Sequence, residues 1–382
     1  MPATTVEGAR LEMIVDSSST KNKGLVENHP SQQHVRAASE SPAEAVSRMA
    51  GGFAMTQILH TAVQAGIADF MGEKNCTAEE IGQSLHLDVR ALNRFLRMMV
   101  VLDLLVQVGP ETFCLSDAGQ LLRSDHPQSM RERIAYIGAV NYPVASAAIH
   151  SLRTGETAFE HVFGMPFFDH LAQQPELGRA FNGLMRRAVE ARVAGVLGAH
   201  DFSNARHIVD LGGGTGALLS AILANTKGSS GTIFDTPTVI AQARRQLAGT
   251  ASASRVGFVE GDLFSGPYPA GADMYILSNI IHDWNDAQAE SILRHCARAM
   301  RGNSELLLIE ETMPASVLDS PSTVANDYSM LLLTGGLERS RDEYRALLER
   351  SGLALSKVTP FAAHSSDHRR RGHWALLHCH AK

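Results

Sequence analysis

The run Val209-Asp210-Leu211 leads into Gly212-Gly213-Gly214-Thr215-Gly216, so an apolar, strand-like stretch ends in a turn with almost no side chains. Backbone bared in this way at a strand-to-helix turn can approach a nucleotide closely. About twenty residues later Thr232-Ile233-Phe234-Asp235 closes a second apolar run with an acid, and a carboxylate there suits a ribose diol. A third run leads into Gly261-Asp262-Leu263-Phe264, a carboxylate and a ring suited to adenine. A fourth leads into Leu277-Ser278-Asn279-Ile280-Ile281-His282-Asp283-Trp284. His282 therefore stands just beyond a strand, where doubly wound folds place their ligands. The glycine turn and Asp235 alone fit a nicotinamide dinucleotide as well as any other adenosyl cofactor.

Residues of this kind need a sheet to align them. From about residue 204 onward, apolar runs alternate with amphipathic helical stretches, which predicts an α/β domain with a mostly parallel sheet. Its expected strands are 207–211, 231–234, 256–260, 274–278, 305–310, 355–359 and 373–378. Order is expected to start at Ser41-Pro42-Ala43-Glu44, a capping box with Pro at the first helical position. Residues 1–40 read as a disordered extension, rich in polar residues. Residues 41–125 read as a winged helix, predominantly α-helical, that binds DNA or builds a dimer. The helix expected over 88–101 carries only three arginines, so electrostatics favours the dimer. Residues 126–200 form a helical linker whose Tyr142, Phe159, Phe163, Phe167, Phe168, Phe181 and Met185 could grip a planar substrate. Residues 201–382 complete the Rossmann-like domain.

A formal charge of −6 argues against a chain whose main task is holding nucleic acid. No apolar run approaches the roughly 20 residues of a membrane span. The cysteines lack a C-x-x-C pair, and no secretory signal pattern is seen, so the cytoplasm is the expected compartment. The tail from His364 to His380 is rich in histidine, but it has no spacing typical of structural zinc, and no metal is expected.

Taken in order, these motifs resemble the small-molecule O-methyltransferases of plants and bacteria, the caffeate, hydroxyneurosporene-like and antibiotic-tailoring group. The resemblance runs from about Ser41 to the C-terminus. It rests on residues 209–216, Phe234-Asp235-Thr236-Pro237, Gly261-Asp262-Leu263-Phe264, and His282-Asp283-Trp284 followed by Asp286. Ile309-Glu310-Glu311-Thr312-Met313-Pro314 and Asp327 to Met330, leading into Gly335-Gly336-Leu337-Glu338-Arg339-Ser340, complete it.

The resemblance implies a Rossmann-like class I methyltransferase domain with a mixed seven-stranded sheet, preceded by an all-α winged-helix dimerisation domain. It further implies S-adenosylmethionine as cofactor and a homodimer clasped by the N-terminal helices. Asp210, Gly212 and Gly214 would lie near the methionine moiety, Asp235 at the ribose, and Asp262, Leu263 and Phe264 at the adenine. Ser278 stands where relatives often carry a lysine. His282 would be the general base, which suits a phenol or enol acceptor, because a phenol with a pKa near 10 is mostly protonated at neutral pH. A carboxylate on the other ring nitrogen would hold the tautomer, and the family positions for it are Glu310 and Glu338. Met185, Phe168, Tyr142 and Asp283 would contact the acceptor, with Asp283 alternatively capping a helix. The alternative chemistry on the same fold is a pericyclic, decarboxylation or hydroxylation reaction.

Overall fold

The computed structural model describes residues 41–363 and 372–382. The expected extension over 1–40 and two tail histidines, His364 and His368, lie outside them. The chain divides into two compact units with the boundary after Gly51. In the first, Ser41 caps helix Pro42–Ala50: its hydroxyl accepts the Glu44 amide, and the Glu44 carboxylate accepts the Ser41 amide in return.

The second unit starts with helix Gly52–Gln64 and the short helix Ile67–Met71. Thr77 and Glu80 form another reciprocal cap on helix Ala78–Leu85, and Asp88 caps helix Val89–Val101. The latter helix turns Leu92, Leu96 and Met99 inward at helical spacing. Its arginines at 90, 94 and 97 stay exposed. The domain expected as all-α also carries a small antiparallel sheet of β1 (Cys76–Thr77), β2 (Leu105–Gly109) and β3 (Thr112–Leu115), in the order β1-β3-β2. This is the wing.

The helical region that follows contains one irregularity. Residues Ile137–Asn141 form a π turn between helices Arg131–Tyr136 and Tyr142–Ser146, and such turns frequently mark functional sites. Glycines at 155 and 164, both in the left-handed region, end helices Ala148–Thr154 and Ala158–Phe163. Helix Phe167–Gln173 and the long helix Pro175–Ala199 complete the region.

Seven strands then form one sheet: β4 (His207–Leu211), β5 (Ser230–Asp235), β6 (Val256–Glu260), β7 (Met274–Ser278), β8 (Glu305–Glu311), β9 (Leu353–Pro360) and β10 (Trp374–Ala381). Their order is β6-β5-β4-β7-β8-β10-β9. β10 pairs antiparallel with both neighbours and every other pairing is parallel. Alternate residues serve opposite faces. Val209, Leu211, Tyr275, Leu277, Leu306 and Leu308 enter one core, while Ile208, Ile233, Ile276, Leu307 and Ile309 enter the other. With both faces covered by helices, the strands have to be apolar throughout, which is why they stand out in the sequence. The strand order reverses between β4 and β7, and that crevice lies at the carboxyl ends of both. Among the described residues, no helix is long and apolar enough to cross a membrane.

Candidate active site

The register aligns the carboxyl ends. Leu211 lies opposite Phe234, Asp235 opposite Glu260, and Ser278 opposite Ile309. The glycine turn, Asp235, Asp262, His282 and Glu310 therefore share one edge of the sheet.

In the glycine turn, Gly212, Gly214 and Gly216 all have positive φ, at 70°, 58° and 80°. A side chain at Gly212 would meet Ile280 Cδ1 at 2.5 Å, so the turn is packed on the segment that carries His282. A Cβ at Gly214 would point into open space. The Gly214 amide donates to Asp235 Oδ2 (2.9 Å) and the Thr236 amide to Oδ1 (2.7 Å), which fixes the carboxylate beside the turn. Asp210 is buried beneath it, and its Oδ2 has no hydrogen-bond partner among the described residues. Burial first, and the neighbouring Asp235 second, push its carboxyl up to about 7. An orphaned buried acceptor, a fixed carboxylate and a bare backbone cradle fit a cofactor with an ammonium group and a ribose diol.

On the adenine side, Asp262 is exposed and its Oδ1 accepts the Phe264 amide (2.9 Å), so part of its role is to shape its own turn. Leu263 and Phe264 pack against the core. Phe264 meets the Trp284 ring edge-on with centroids 4.6 Å apart, and Trp284 lies 5.3 Å from Phe168. A continuous aromatic run thus joins Phe264 through Trp284 to Phe168. Ser278 ends β7, partly buried. Asn279 follows in the left-handed conformation, with a buried Oδ1 that lacks a partner among the described residues.

His282 sits in the single turn Ile281–Asp283 and is buried. Its Nδ1 donates to Glu338 Oε1 at 2.7 Å, which leaves Nε2 as the basic nitrogen. Burial alone would strip the proton from this imidazole. The Glu338 charge, then Asp283, the Glu338 hydrogen bond and Glu310 outweigh burial and raise it to about 10. Glu338 Oε1 also accepts from Asn326 Nδ2, and the Glu338 amide donates to Asp327 Oδ1 (2.8 Å). Both partners come from helix Pro321–Leu333.

Glu310 behaves differently from the expectation. Its Oε1 accepts the amides of Ile280 (3.1 Å) and Ile281 (2.9 Å), so it holds the backbone of the histidine's turn rather than the ring. It is fully buried, and burial foremost pushes its carboxyl up to about 7. Asp283 is not a helix cap: Asn285 caps helix Asp286–Ala299 through the Gln288 amide. Asp283 Oδ1 lies 3.7 Å from His282 Nε2, on the reactive side, and burial foremost pushes its carboxyl up to about 6.

The acceptor side is walled by aromatic residues. Phe159 and Phe167 are core, Phe168 and Phe181 are partly buried beside them, and Tyr142 continues directly from the π turn. Met185 stands apart on an exposed flank of its helix, at 39% exposure.

Several contributors escaped the sequence reading. Tyr136 is buried among these aromatics, and its phenol is pushed above its ordinary range by burial and then by Asp283. Asn141 ends the π turn with a buried Oδ1 lacking a partner among the described residues. Arg339 donates to Asp286 and to the carbonyls of Ile281 and Trp284, binding both ends of the histidine's turn. Gly336 packs so closely that a Cβ there would lie 2.0 Å from the His282 carbonyl oxygen. Only the sequence neighbourhood Gly335 to Ser340 hinted at these roles.

Comparison with known proteins gives this geometry a context. Residues 145–354 match the O-methyltransferase domain family and residues 47–125 the O-methyltransferase dimerisation domain. Phenazine O-methyltransferase PhzM of Lysobacter antibioticus is 36% identical over 317 residues, covering 83% of this chain and 92% of that protein. The crystal structure of NcsB1, an O-methyltransferase from neocarzinostatin biosynthesis in complex with S-adenosylmethionine and 2-hydroxy-5-methyl naphthoic acid, superposes with a TM-score of 0.77 at 29% identity. It covers 90% of this chain and 100% of its own. Aclacinomycin 10-hydroxylase RdmB of Streptomyces purpurascens is 32% identical over 272 residues, covering 70% of this chain and 72% of that protein.

Proposed function

This chain belongs to the S-adenosylmethionine-dependent O-methyltransferase family, and from that premise we propose that it methylates a phenolic or enolic hydroxyl of an aromatic or polyketide-like secondary metabolite, with His282 as general base. The observation that carries the reading is the buried His282–Glu338 pair at 2.7 Å, which leaves Nε2, 3.7 Å from Asp283 Oδ1, to take a proton.

Bound S-adenosylmethionine supplies an electrophilic methyl group on a sulfonium, whose leaving group is a neutral thioether. Asp210 and the turn Gly212 to Gly216 would hold its amino-acid end, Asp235 the ribose, and Asp262, Leu263, Phe264 and Ser278 the adenine side. His282 Nε2 takes the acceptor's hydroxyl proton, and Glu338 stabilises the imidazolium so formed. Glu310 is a positioning residue that keeps the turn in place. Phe168, Tyr142 and Asp283 contact the acceptor and, with Trp284, exclude water, while Met185 would meet it from the exposed flank of its helix.

We assign dimerisation to residues 41–125, the acceptor wall to 126–200 and cofactor binding to 201–382. The dimer is a homodimer, supported by the exposed Phe53, Val101, Val106 and Val108 of the dimerisation domain. The compartment is the cytoplasm, consistent with four free cysteines. Helix Val89–Val101 is largely apolar and carries only three arginines, which leaves nucleic acid little charge to bind.

Incubation with methyl-labelled cofactor and a panel of hydroxylated aromatics should transfer label to oxygen. Cofactor binding without transfer to any acceptor would favour the second reading, a non-methylating reaction, which the similarity to a hydroxylase keeps in view.

The charge on Glu338 also sets a pH dependence. Because the folded pKa of His282 is raised above 6.5, the base form appears only as pH climbs, so kcat/KM should rise with a midpoint above 6.5. Glu338→Gln removes the charge that favours imidazolium, and the midpoint should fall by about 1–3 pH units, with a lower plateau. A profile that keeps its midpoint in this variant would show that another group titrates.

A further inference from the structure

The sequence reading sought metal ligands within the C-terminal tail and expected none, but folding gathers three ligand groups from elements far apart in the chain. His200 follows the end of helix Pro175–Ala199, Glu305 begins β8, and His378 lies near the end of the antiparallel β10. One ligand atom from each lies within 4.8 Å of the others. We propose that His200, Glu305 and His378 bind one divalent transition-metal ion, zinc(II) by ligand type, at the edge of the sheet opposite the active site.

The chemistry of the three groups supports this. Two imidazoles and a carboxylate are an established zinc donor set, leaving one tetrahedral position for water. His378 is buried, and its Nε2 lies 3.2 Å from Thr359 Oγ1, an acceptor for the ring N–H that fixes the ring and leaves Nδ1 as the donor atom. His378 Nδ1 is 2.6 Å from Glu305 Oε1 in the free protein, an ion pair that accounts for two of the three residues. It does not account for His200, whose ring faces His378 with centroids 5.3 Å apart and is steadied edge-on by Phe202 at 4.6 Å.

Tetrahedral bonds of about 2.0–2.1 Å place ligand atoms about 3.3 Å apart, so Glu305 and His378 need separate by less than about 1 Å. The metal then replaces the shared proton, which leaves to solvent. His200 also lines a cleft of about 440 Å³ together with Asp201, Phe202 and Ser203.

The position defines the role. Glu305 and Glu310 lie five residues apart on one strand, roughly 16 Å at about 3.3 Å per residue, so the ion cannot touch the reacting atoms. It would instead pin the end of helix Pro175–Ala199 to the sheet.

The test uses the untagged full chain, stripped with chelator, and cobalt(II) as a visible probe. One equivalent should bind per chain with d–d absorption of a tetrahedral nitrogen–oxygen site, and zinc(II) should displace it. His200→Gln and Glu305→Gln, the first at a partly exposed position and both close in size, should each weaken cobalt binding at least tenfold. Methyl transfer at saturating substrates should be the same with and without zinc. Absence of saturable cobalt uptake, or uptake unchanged in both variants, would overturn the proposal. Because the readout is cobalt absorption, its failure leaves the methyltransferase reading untouched.

Discussion

Replacing His282 by alanine should lower kcat by a factor of about 10²–10⁴, the range that a positioned general base contributes, while the Kd for S-adenosylmethionine moves by no more than a few-fold. The two outcomes separate because His282 is assigned to the acceptor's proton, whereas the cofactor contacts argued above come from the ends of β4, β5 and β6 and from Ser278 at the end of β7. The loss should also depend on the acceptor. A phenol already ionised at the assay pH needs no base, so acceptors of lower pKa should lose least. Alanine also strands Glu338, which is 3% exposed, without the partner that justifies its burial. His282→Gln, whose amide can still donate to Glu338, serves as the control for that cost. Steady-state rates across a graded series of phenols, with calorimetry of the cofactor, check the result. An equal loss across the series in both variants would mean that His282 acts through structure and not by taking a proton.

Asp235→Ala should have the opposite signature. Hydrogen bonds to a charged group contribute about 1.5–3 kcal/mol each, and a carboxylate that holds a diol makes two, so the cofactor Kd should rise by about 10²-fold or more. The substitution also frees the Gly214 amide that now donates to Oδ2, which loosens the glycine turn. At saturating cofactor kcat should return to within a few-fold of its original value, because no proton passes through Asp235. Titration calorimetry with S-adenosylhomocysteine reads the affinity directly. A fall in kcat with unchanged affinity would remove Asp235 from the ribose site.

The two sets of residues were not equally legible. The strands of the main sheet announce themselves because a mostly parallel sheet covered on both faces needs near-continuous apolar runs, as Val209, Ile233 and Tyr275 show. The ligand edge follows from where those runs end. Local signals also served well: the capping box at Ser41 and Glu44 and the left-handed glycines 155 and 164 depend only on near neighbours.

What sequence could not resolve is which of two glutamates touches the imidazole. Glu310 and Glu338 both belong there by family position, yet hydrogen-bond direction depends on side-chain placement across 28 and 56 residues respectively. The same holds for Arg339, which stands next to Glu338 in the sequence while its fork serves Asp286 and two carbonyls. The π turn at Ile137–Asn141 carries no composition that marks it. His200, Glu305 and His378 meet only once the antiparallel β10 has been laid beside β8.

The close seat of Gly336 on the His282 carbonyl has a consequence for how such an enzyme can diversify. Backbone contact, with the Leu337 amide donating to that same carbonyl at 2.9 Å, clasps two distant stretches of chain directly, so the histidine and its carboxylate cannot drift apart through side-chain exchange. The aromatic wall opposite is contributed by separate helices that meet this clasp through rings such as Phe168, 5.3 Å from Trp284. Reactivity and selectivity are thereby inherited on different parts of the chain. A lineage can remodel the wall around a new acceptor, one aromatic at a time, while the proton-transfer pair passes through unaltered.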